Sequence, residues 1–249
     1  LVVARASGAS LKVSRTSLGF VALFGIAQFV CNFNFVYRAE QHITSGLVAT
    51  VFALLFVPNA VFARIFLGQR TAMQFWLGSV VAIGGLSLLF LNEVHGDVSS
   101  RTQTLTGIGL TLIGVLSAST ANVMQASTRA RALPMPTMLG WGMVCGATID
   151  GIFAWSIAGP PVFDMRPAYL AGLAYLAIVA SALAFSLYFG TVRQIGPAKA
   201  AYSSVVIPII AMLISTFAEG YRWTSLAAGG AALAMVGAIV ALSAPRPSA

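Results

Sequence analysis

Polar side chains inside long apolar stretches are the residues of this sequence that could do chemistry. Gln28 and Asn32 stand four apart in one such stretch and are followed by Tyr37, whereas Asn122 and Gln125 stand three apart in another. Residues three or four apart share one face of an α-helix, so each amide pair would point in one direction. Amides in an apolar setting bind either a polar solute or a neighbouring helix. We interpret these five residues as candidate substrate-binding residues, with hydrogen bonds between helices as the open alternative.

Asp150 is the acidic residue that falls well inside an apolar stretch. Loss of hydration disfavours its charged form, which suits a group that takes up and releases a proton. Asp150 is therefore a candidate for proton coupling, and the alternative is an acid that reaches water at the membrane surface. Tyr175 offers a ring to an amphipathic solute. Pro58 and Pro208 interrupt apolar stretches, where proline permits a kink that serves either gating or packing.

Catalytic motifs are absent from the sequence. There is no Gly-x-Ser-x-Gly, no His-Glu-x-x-His and no phosphate-binding loop. Cys31 and Cys145 lie in apolar stretches without the spacing of a disulfide framework or a metal site. We therefore expect no enzyme activity, no cofactor and no metal.

The composition places the chain in a lipid bilayer. Of its 249 residues, 58% are hydrophobic and 8% are charged, whereas a soluble domain is about one quarter charged. The net charge of +8 comes from cations scattered along apolar sequence rather than from a basic patch, so we expect no nucleic-acid partner.

Eight stretches are long enough to cross the bilayer as helices, which takes about 20 apolar residues each. They are continuous rather than alternating in polarity, so we predict an all-α polytopic helical bundle instead of a β-barrel. The predicted spans are Leu18 to Tyr37, Thr44 to Leu67, Ala72 to Leu91, Leu105 to Ser127, Thr137 to Ala158, Ala168 to Gly190, Ala198 to Ala218 and Trp223 to Ser243.

The distribution of cations predicts the orientation of these spans. With eight spans, both ends of the chain lie on one side, and that side collects ten of the fourteen Lys and Arg residues, Arg193 among them. Cytoplasmic loops carry the excess of cations, so we predict that both termini of this chain are cytoplasmic.

Gly142 and Gly146 form a Gly-x-x-x-Gly pair in the fifth predicted span. Small residues at this spacing let two helix backbones approach closely. We expect a close helix crossing there, with no functional role needed to explain it.

The chain resembles itself at an offset of 152 residues. The copies lie an odd number of spans apart, so they cross the membrane in opposite senses, as in the inverted repeats of secondary transporters. We predict an incomplete first repeat in residues 1–103, with three spans and the tail of an earlier helix, and a second repeat of five spans in residues 104–249. The matched pairs are Ile43 and Ile195, Ala49 and Ala201, Gly68 and Gly220, Arg70 and Arg222, Gly78 and Gly230, Ala82 and Ala234, and Gly85 and Gly237.

Two blocks resemble the EamA-type transporters of the drug/metabolite transporter superfamily. One runs from Thr44-Ser45-Gly46 through Leu67-Gly68-Gln69-Arg70 to Gly78, and the other runs from Ile195-Gly196-Pro197 through Pro208 to Glu219-Gly220 and Gly229-Gly230. The resemblance implies a ten-helix, 5+5 inverted-repeat carrier of the bacterial inner membrane, so that two helices of the first repeat would precede those seen here. It also implies export of amino acids, other metabolites or drugs.

We therefore expect a secondary active transporter that moves a small organic solute by alternating access, with export and proton coupling implied by the resemblance. The alternatives are a channel or structural membrane subunit and, less favoured, a membrane-embedded enzyme. The expected partners are the solute and the bilayer, and a homodimer is compatible with the sequence. A carrier lacking two helices would have an open cavity wall, so we expect no transport by the 249-residue chain alone.

Overall fold

The computed structural model describes the chain except for residues 2–3, 6–7, 94–97, 163, 201–206, 219, 221–222 and 244–249. The side chains at 90–93, 98–100, 199 and 208–209 also lie outside the description. All regular secondary structure in the described part is helical.

Eight helices account for most of the described residues, and each predicted span overlaps one of them. Six of the eight, α1, α2, α4, α5, α6 and α8, are long and apolar enough to cross a membrane. The all-α, polytopic membrane fold predicted from the sequence is confirmed. The helices are α1 (Arg15–Ala39), α2 (Ser45–Leu67), α3 (Met73–Glu93), α4 (Val98–Ala126), α5 (Met135–Ala158), α6 (Pro167–Ile195), α7 (Ile207–Ala218) and α8 (Ser225–Leu242).

Polar caps and left-handed glycines fix where several helices begin and end. The Ser14 hydroxyl accepts from the backbone N–H of Ser17 at the start of α1, and Thr224 does the same for Ala227 at the start of α8. Gly68 ends α2 in a left-handed conformation with φ +67°, which other residues adopt only with strain. Gly220, its partner in the repeat, has φ +69°. Two positions matched by sequence offset therefore share a backbone conformation.

Three helices contain a change in helical pitch. Segments of π-helix occupy Ile26–Cys31 in α1 and Leu176–Leu183 in α6, and a turn of 3-10 helix occupies Ala53–Leu55 in α2. Pro58 has no N–H to donate to the carbonyl of Leu54, which is the middle residue of that 3-10 turn. Such segments are frequent at functional sites and hinges. The gating role of Pro58 stays a prediction.

The helices group into two compact units. The first unit comprises Leu1–Val30 and Met124–Gly196, and the second comprises Cys31–Val123 and Pro197–Ala249. These units are defined by contacts, whereas the repeats predicted over residues 1–103 and 104–249 are defined by sequence, so the repeat boundaries stay a prediction.

The second unit is held by a crossing of α3 and α8 in which backbone touches backbone. A Cβ added at Gly78 would lie within 3.0 Å of the Gly237 carbonyl oxygen, and one at Gly85 would lie within 3.0 Å of that of Gly230. The reverse additions meet the α3 backbone equally closely. Because only glycine fits at this distance, these four positions allow the close approach. They are the same glycines that the 152-residue offset pairs.

The first unit is held by glycine and by aromatic rings. A Cβ on Gly142 would meet the Phe24 ring at 2.7 Å, and one on Gly146 would meet the Phe29 Cβ at 2.6 Å. The close helix crossing predicted from Gly142 and Gly146 is thus confirmed, between α5 and α1. Two rings of α6 also pack against α1: Phe189 packs edge-on against Phe24, and Phe185 packs edge-on against Phe29, each with ring centroids 5.4 Å apart.

Candidate functional site

The residues predicted to form the site are divided between the two units, which we describe separately. The first unit contains Gln28, Gln125, Asp150 and Tyr175, and the second contains Asn32, Tyr37, Pro58, Asn122 and Pro208.

A chain of buried amides lies in the second unit. Asn122 of α4 donates from Nδ2 to the Asn59 Oδ1 of α2 at 3.3 Å, and Asn59 donates from Nδ2 to the Pro197 carbonyl oxygen at 3.2 Å. Both asparagines are fully buried. Asn122 thus binds protein amide groups in this structure, and its role as a substrate ligand stays a prediction. Asn59 was not predicted as a site residue, although it is the lone amide side chain in α2.

Asn32, also in the second unit, has a buried oxygen that can accept a hydrogen bond. The side chain is 5% exposed, and its Oδ1 has no partner in the described part of the chain. Gly114 of α4 packs beside it, since a Cβ added there would lie 3.1 Å from the Val36 Cγ2 and 3.7 Å from Oδ1. An unsatisfied buried acceptor is costly, so this atom is suited to a donor supplied by a solute or by water.

The remaining predicted residues of the second unit are placed differently. Tyr37 is 61% exposed and stacks on Phe33, with ring centroids 5.8 Å apart. Pro58 lies one residue before the buried Asn59. The structure does not describe residues 201–206 or the side chain of Pro208. The kink predicted at Pro208 therefore lies outside the described residues.

The second unit also contains an apolar cavity. Its volume is about 170 Å³, and its lining includes Leu54, Met212, Trp223 and Met235. The Trp223 indole N–H donates to the Thr216 hydroxyl at 2.8 Å, so this ring can present carbon atoms to an occupant. Such a lining suits an aliphatic or aromatic group rather than a charged one.

The buried Gln125 contacts an arginine in the first unit. Arg193, in the last turn of α6, donates from Nε to the Gln125 Oε1 at 2.9 Å and from Nη1 to the Leu133 carbonyl oxygen at 2.9 Å. Nη2 faces the Met138 Sδ at 3.4 Å. Gln125 is fully buried, and its Nε2 has no partner among the described residues. Arg193 was predicted only as a cytoplasmic cation, because an arginine at the end of a span usually reaches water.

Gln28 lies in the π-helical segment of α1, next to Phe29, whose ring packs against Phe185, and is 4% exposed. Asp150, on α5, is partly exposed, and Tyr175, immediately before the π-helical segment of α6, is 60% exposed. The structure therefore buries Gln28 and Gln125 of the first unit's four predicted residues. The roles of all four stay predictions.

An ion pair lies between α5 and α6, outside the apolar spans. Arg166 donates from Nε to both carboxylate oxygens of Asp164, at 3.0 and 2.7 Å. This side-chain hydrogen bond, with a second one from the Arg166 backbone N–H, lowers the pKa of Asp164 below its usual range. Arg166 is largely exposed, so the pair is not a buried functional group.

Comparison with known proteins places this arrangement in a family. Residues 105–243 match the model of the EamA-like transporter family. The inner membrane transporter YedA of Escherichia coli K12 is 30% identical over 198 residues, covering 78% of this chain and 61% of YedA. Protein PagO of Salmonella typhimurium is 21% identical over 196 residues, covering 79% of this chain and 63% of PagO. The chain thus spans less than two thirds of the length of these relatives.

A more distant relative is a WAT1-related chloroplastic protein of Arabidopsis thaliana, 24% identical over 222 residues, which cover 87% of this chain and 52% of that protein. A protein of known crystal structure superposes with a TM-score of 0.68 over 96% of this chain and 80% of its own, at 19% identity, which supports the fold alone. The family match covers more than half of the chain, and the bacterial relatives extend the match across most of it. The chain belongs to the EamA-like transporter family, within the drug/metabolite transporter superfamily.

Proposed function

We propose that this chain is part or all of a secondary active transporter that moves a small organic solute across the membrane by alternating access. The observation that carries the proposal is the match of residues 105–243 to a family of transporters. Export and coupling to protons are parts of the same proposal, and they rest on the family resemblance. We infer no catalytic step.

The geometry of the second unit supports an amphipathic solute such as an amino acid or an aromatic metabolite. Asn32 offers a buried oxygen that lacks a donor. The cavity beside Trp223 and Met212 offers apolar carbon atoms. Each feature favours one part of such a solute: the oxygen favours an ammonium or amide group, and the cavity favours an apolar body.

We propose a multi-pass location in the inner membrane with both termini of this chain in the cytoplasm. The relative YedA is named an inner membrane transporter. The excess of cations on the side of the chain ends supports the orientation. A homodimer is compatible with this arrangement.

We also propose that residues 1–103 and 104–249 are inverted repeats. The matched glycines Gly68 and Gly220 share a left-handed conformation. Gly78 meets Gly237, and their repeat partners Gly230 and Gly85 meet in the same way. A twofold relation between α3 and α8 accounts for this exchange of partners.

Counterflow in proteoliposomes tests the transport proposal. The chain is reconstituted both alone and with any coding sequence upstream of Leu1, and vesicles preloaded with unlabelled amino acids or aromatic metabolites receive the labelled solute. A carrier gives saturable uptake that the internal solute accelerates. Flux that rises without saturation would indicate a channel, and chemical conversion of the solute would indicate an enzyme. Asn32→Ala should raise the half-saturation concentration, whereas Gln103→Ala, at an exposed amide of α4, should not.

Asp150→Asn tests the proton-coupling proposal separately. A pH-sensitive dye inside the same vesicles reports proton movement while the solute enters. If Asp150 carries the proton, the variant should retain counterflow but lose proton movement driven by the solute. Unchanged proton movement in the variant would contradict this role and leave the transport proposal standing.

A further inference from the structure

Arg193 is a half-buried cation for which the first unit supplies no acidic partner. Residues 1–30 and 124–196 contain seven Lys or Arg residues and two acids, Asp150 and Asp164. Asp164 is bonded to Arg166. Asp150 lies twelve residues along α5 from Met138, which contacts Arg193, a separation of about 18 Å at 1.5 Å per residue. Within this unit, the charge of Arg193 is therefore balanced by neutral groups alone.

The neutral groups leave hydrogen-bond donors unused. A guanidinium has five N–H groups, and the three contacts of Arg193 use three of them. One of these contacts is to the Met138 sulfur at 3.4 Å, and a thioether is a weak acceptor. The Gln125 Nε2 is fully buried and has no partner in the described part of the chain. The Oε1 of the same amide accepts a hydrogen bond from Arg193 Nε. The unpartnered Nε2 therefore lies beside the Arg193 guanidinium.

A second cation increases the positive potential at this place. Arg131, in the helical turn Thr128–Arg131, exerts a like-charge interaction on Arg193. Its Nε donates to the Ala126 carbonyl oxygen at 3.4 Å, and its side chain is exposed. An anion that contacts both guanidinium groups would offset their repulsion and would accept from the unused buried donor. The planar fork of arginine binds phosphate oxygens through paired N–H groups.

We propose that a phosphate group binds here, held by the guanidinium groups of Arg193 and Arg131 and by the Gln125 amide. The group comes either from the headgroup of an anionic lipid or from free phosphate. The predicted orientation places the site at the cytoplasmic surface, where anionic lipids concentrate. The site is separate from the apolar cavity and does not depend on the proposed transport.

Thermal unfolding of the purified chain in neutral detergent tests the site, with tryptophan fluorescence as the readout. The probes are short-chain phosphatidylglycerol, inorganic phosphate against chloride at equal ionic strength, and diacylglycerol with the same acyl chains. A ligand that binds the folded state raises the midpoint in a saturable way. Arg131→Gln should weaken the apparent affinity at least tenfold. The matched control Arg15→Gln removes the same charge from an exposed position and should weaken it less than twofold.

The outcomes separate the two sources. Binding of phosphatidylglycerol without inorganic phosphate supports a lipid headgroup, and binding of both supports the phosphate group itself. Arg193→Lys keeps the charge without the fork and should also weaken binding. If that variant does not fold, the exposed Arg131 still decides the test. Equal stabilisation by diacylglycerol, equal losses in the Arg131 and Arg15 variants, or no binding of either phosphate probe would overturn the proposal.

Discussion

Asn122 and Gln125 lie within one turn of α4, yet they belong to two different hydrogen-bond networks. Asn122, in the second unit, meets Asn59, a neutral amide of the same kind. Gln125, in the first unit, meets the guanidinium of Arg193. The two side chains have the same chemistry and nearly the same burial. The comparison teaches that the partner which the fold supplies decides whether a buried amide stabilises a neutral network or a charged one.

The two units also differ in how their helices pack. The largest loss of stability is expected from a substitution in the glycine crossing of α3 and α8. In the second unit, a leucine at Gly85 would overlap the α8 backbone at Gly230 and Ala234. We expect Gly85→Leu to cost at least about 3 kcal/mol and to abolish a single folded peak in gel filtration. Gly84→Leu is the control, because a Cβ at Gly84 meets nothing within 4 Å. A folded Gly85→Leu chain with an unchanged unfolding midpoint would contradict the backbone contact.

The next largest effect is expected in the charged network of the first unit. Arg193→Met removes the donors to Gln125 and to the Leu133 carbonyl, which leaves two acceptors unpaired. We expect a loss of about 2 to 3 kcal/mol in the free energy of unfolding, measured by denaturant titration in mixed micelles. Arg15→Met should change it by less than about 0.5 kcal/mol, since Arg15 is exposed at the start of α1. Equal stability of the two variants would mean that the network does not stabilise the fold.

Double-mutant cycles measure the difference between the two networks. The coupling energy of Asn59 with Asn122 should be about 1 kcal/mol, because both groups are neutral. That of Gln125 with Arg193 should be about twice as large, since hydrogen bonds from a charged donor are stronger. The single and double alanine variants of the first pair, and Gln125→Ala with Arg193→Met for the second, supply the cycles. Equal coupling energies would contradict the expectation that the charged pair is coupled more strongly than the neutral pair.

The smallest effect is expected at the exposed pair of Asp164 and Arg166. The folded-state pKa of Asp164 is lowered by Arg166, so the pair stabilises the fold fully above the ordinary aspartate value of 3.8. That contribution is lost as pH falls through the lowered folded-state value. We therefore expect a small difference in thermal-unfolding midpoint between the wild type and Asp164→Asn at pH 7. This difference should shrink below pH 3.8. A difference that grows on acidification would contradict the sign, and Arg166→Gln should reproduce the loss.

Apolar length and small-residue spacing were sufficient to predict the helices and the crossing at Gly142 and Gly146. Both signals can be read from short stretches of sequence. A membrane helix needs a long run of apolar residues, and a close helix crossing needs small residues at helical spacing. The pairing of Asn59 with Asn122 was not predictable, since 63 residues separate them and either amide could have met another partner. The burial of Arg193 was not predictable for a different reason. Its position at the end of a span is typical of a cation that reaches water at the interface.

The π-helical segment at Ile26–Cys31 also carried no signal in the sequence. Its residues are those of an ordinary apolar helix, and the change in pitch accompanies packing of Phe29 against Gly146 of α5 and Phe185 of α6. Gln28 was predicted from its type and place in the span. The irregular turn that holds it became visible only in the structure.

The crossing of α3 and α8 limits how this chain can vary through mutation. Any substitution at Gly78, Gly85, Gly230 or Gly237 adds at least one carbon atom within 3.0 Å of the opposite backbone. Separating the helices to admit that atom would loosen the three other contacts as well. Substitutions at these four positions are therefore not tolerated. The sequence of this helix pair can change only at residues that face away from the crossing.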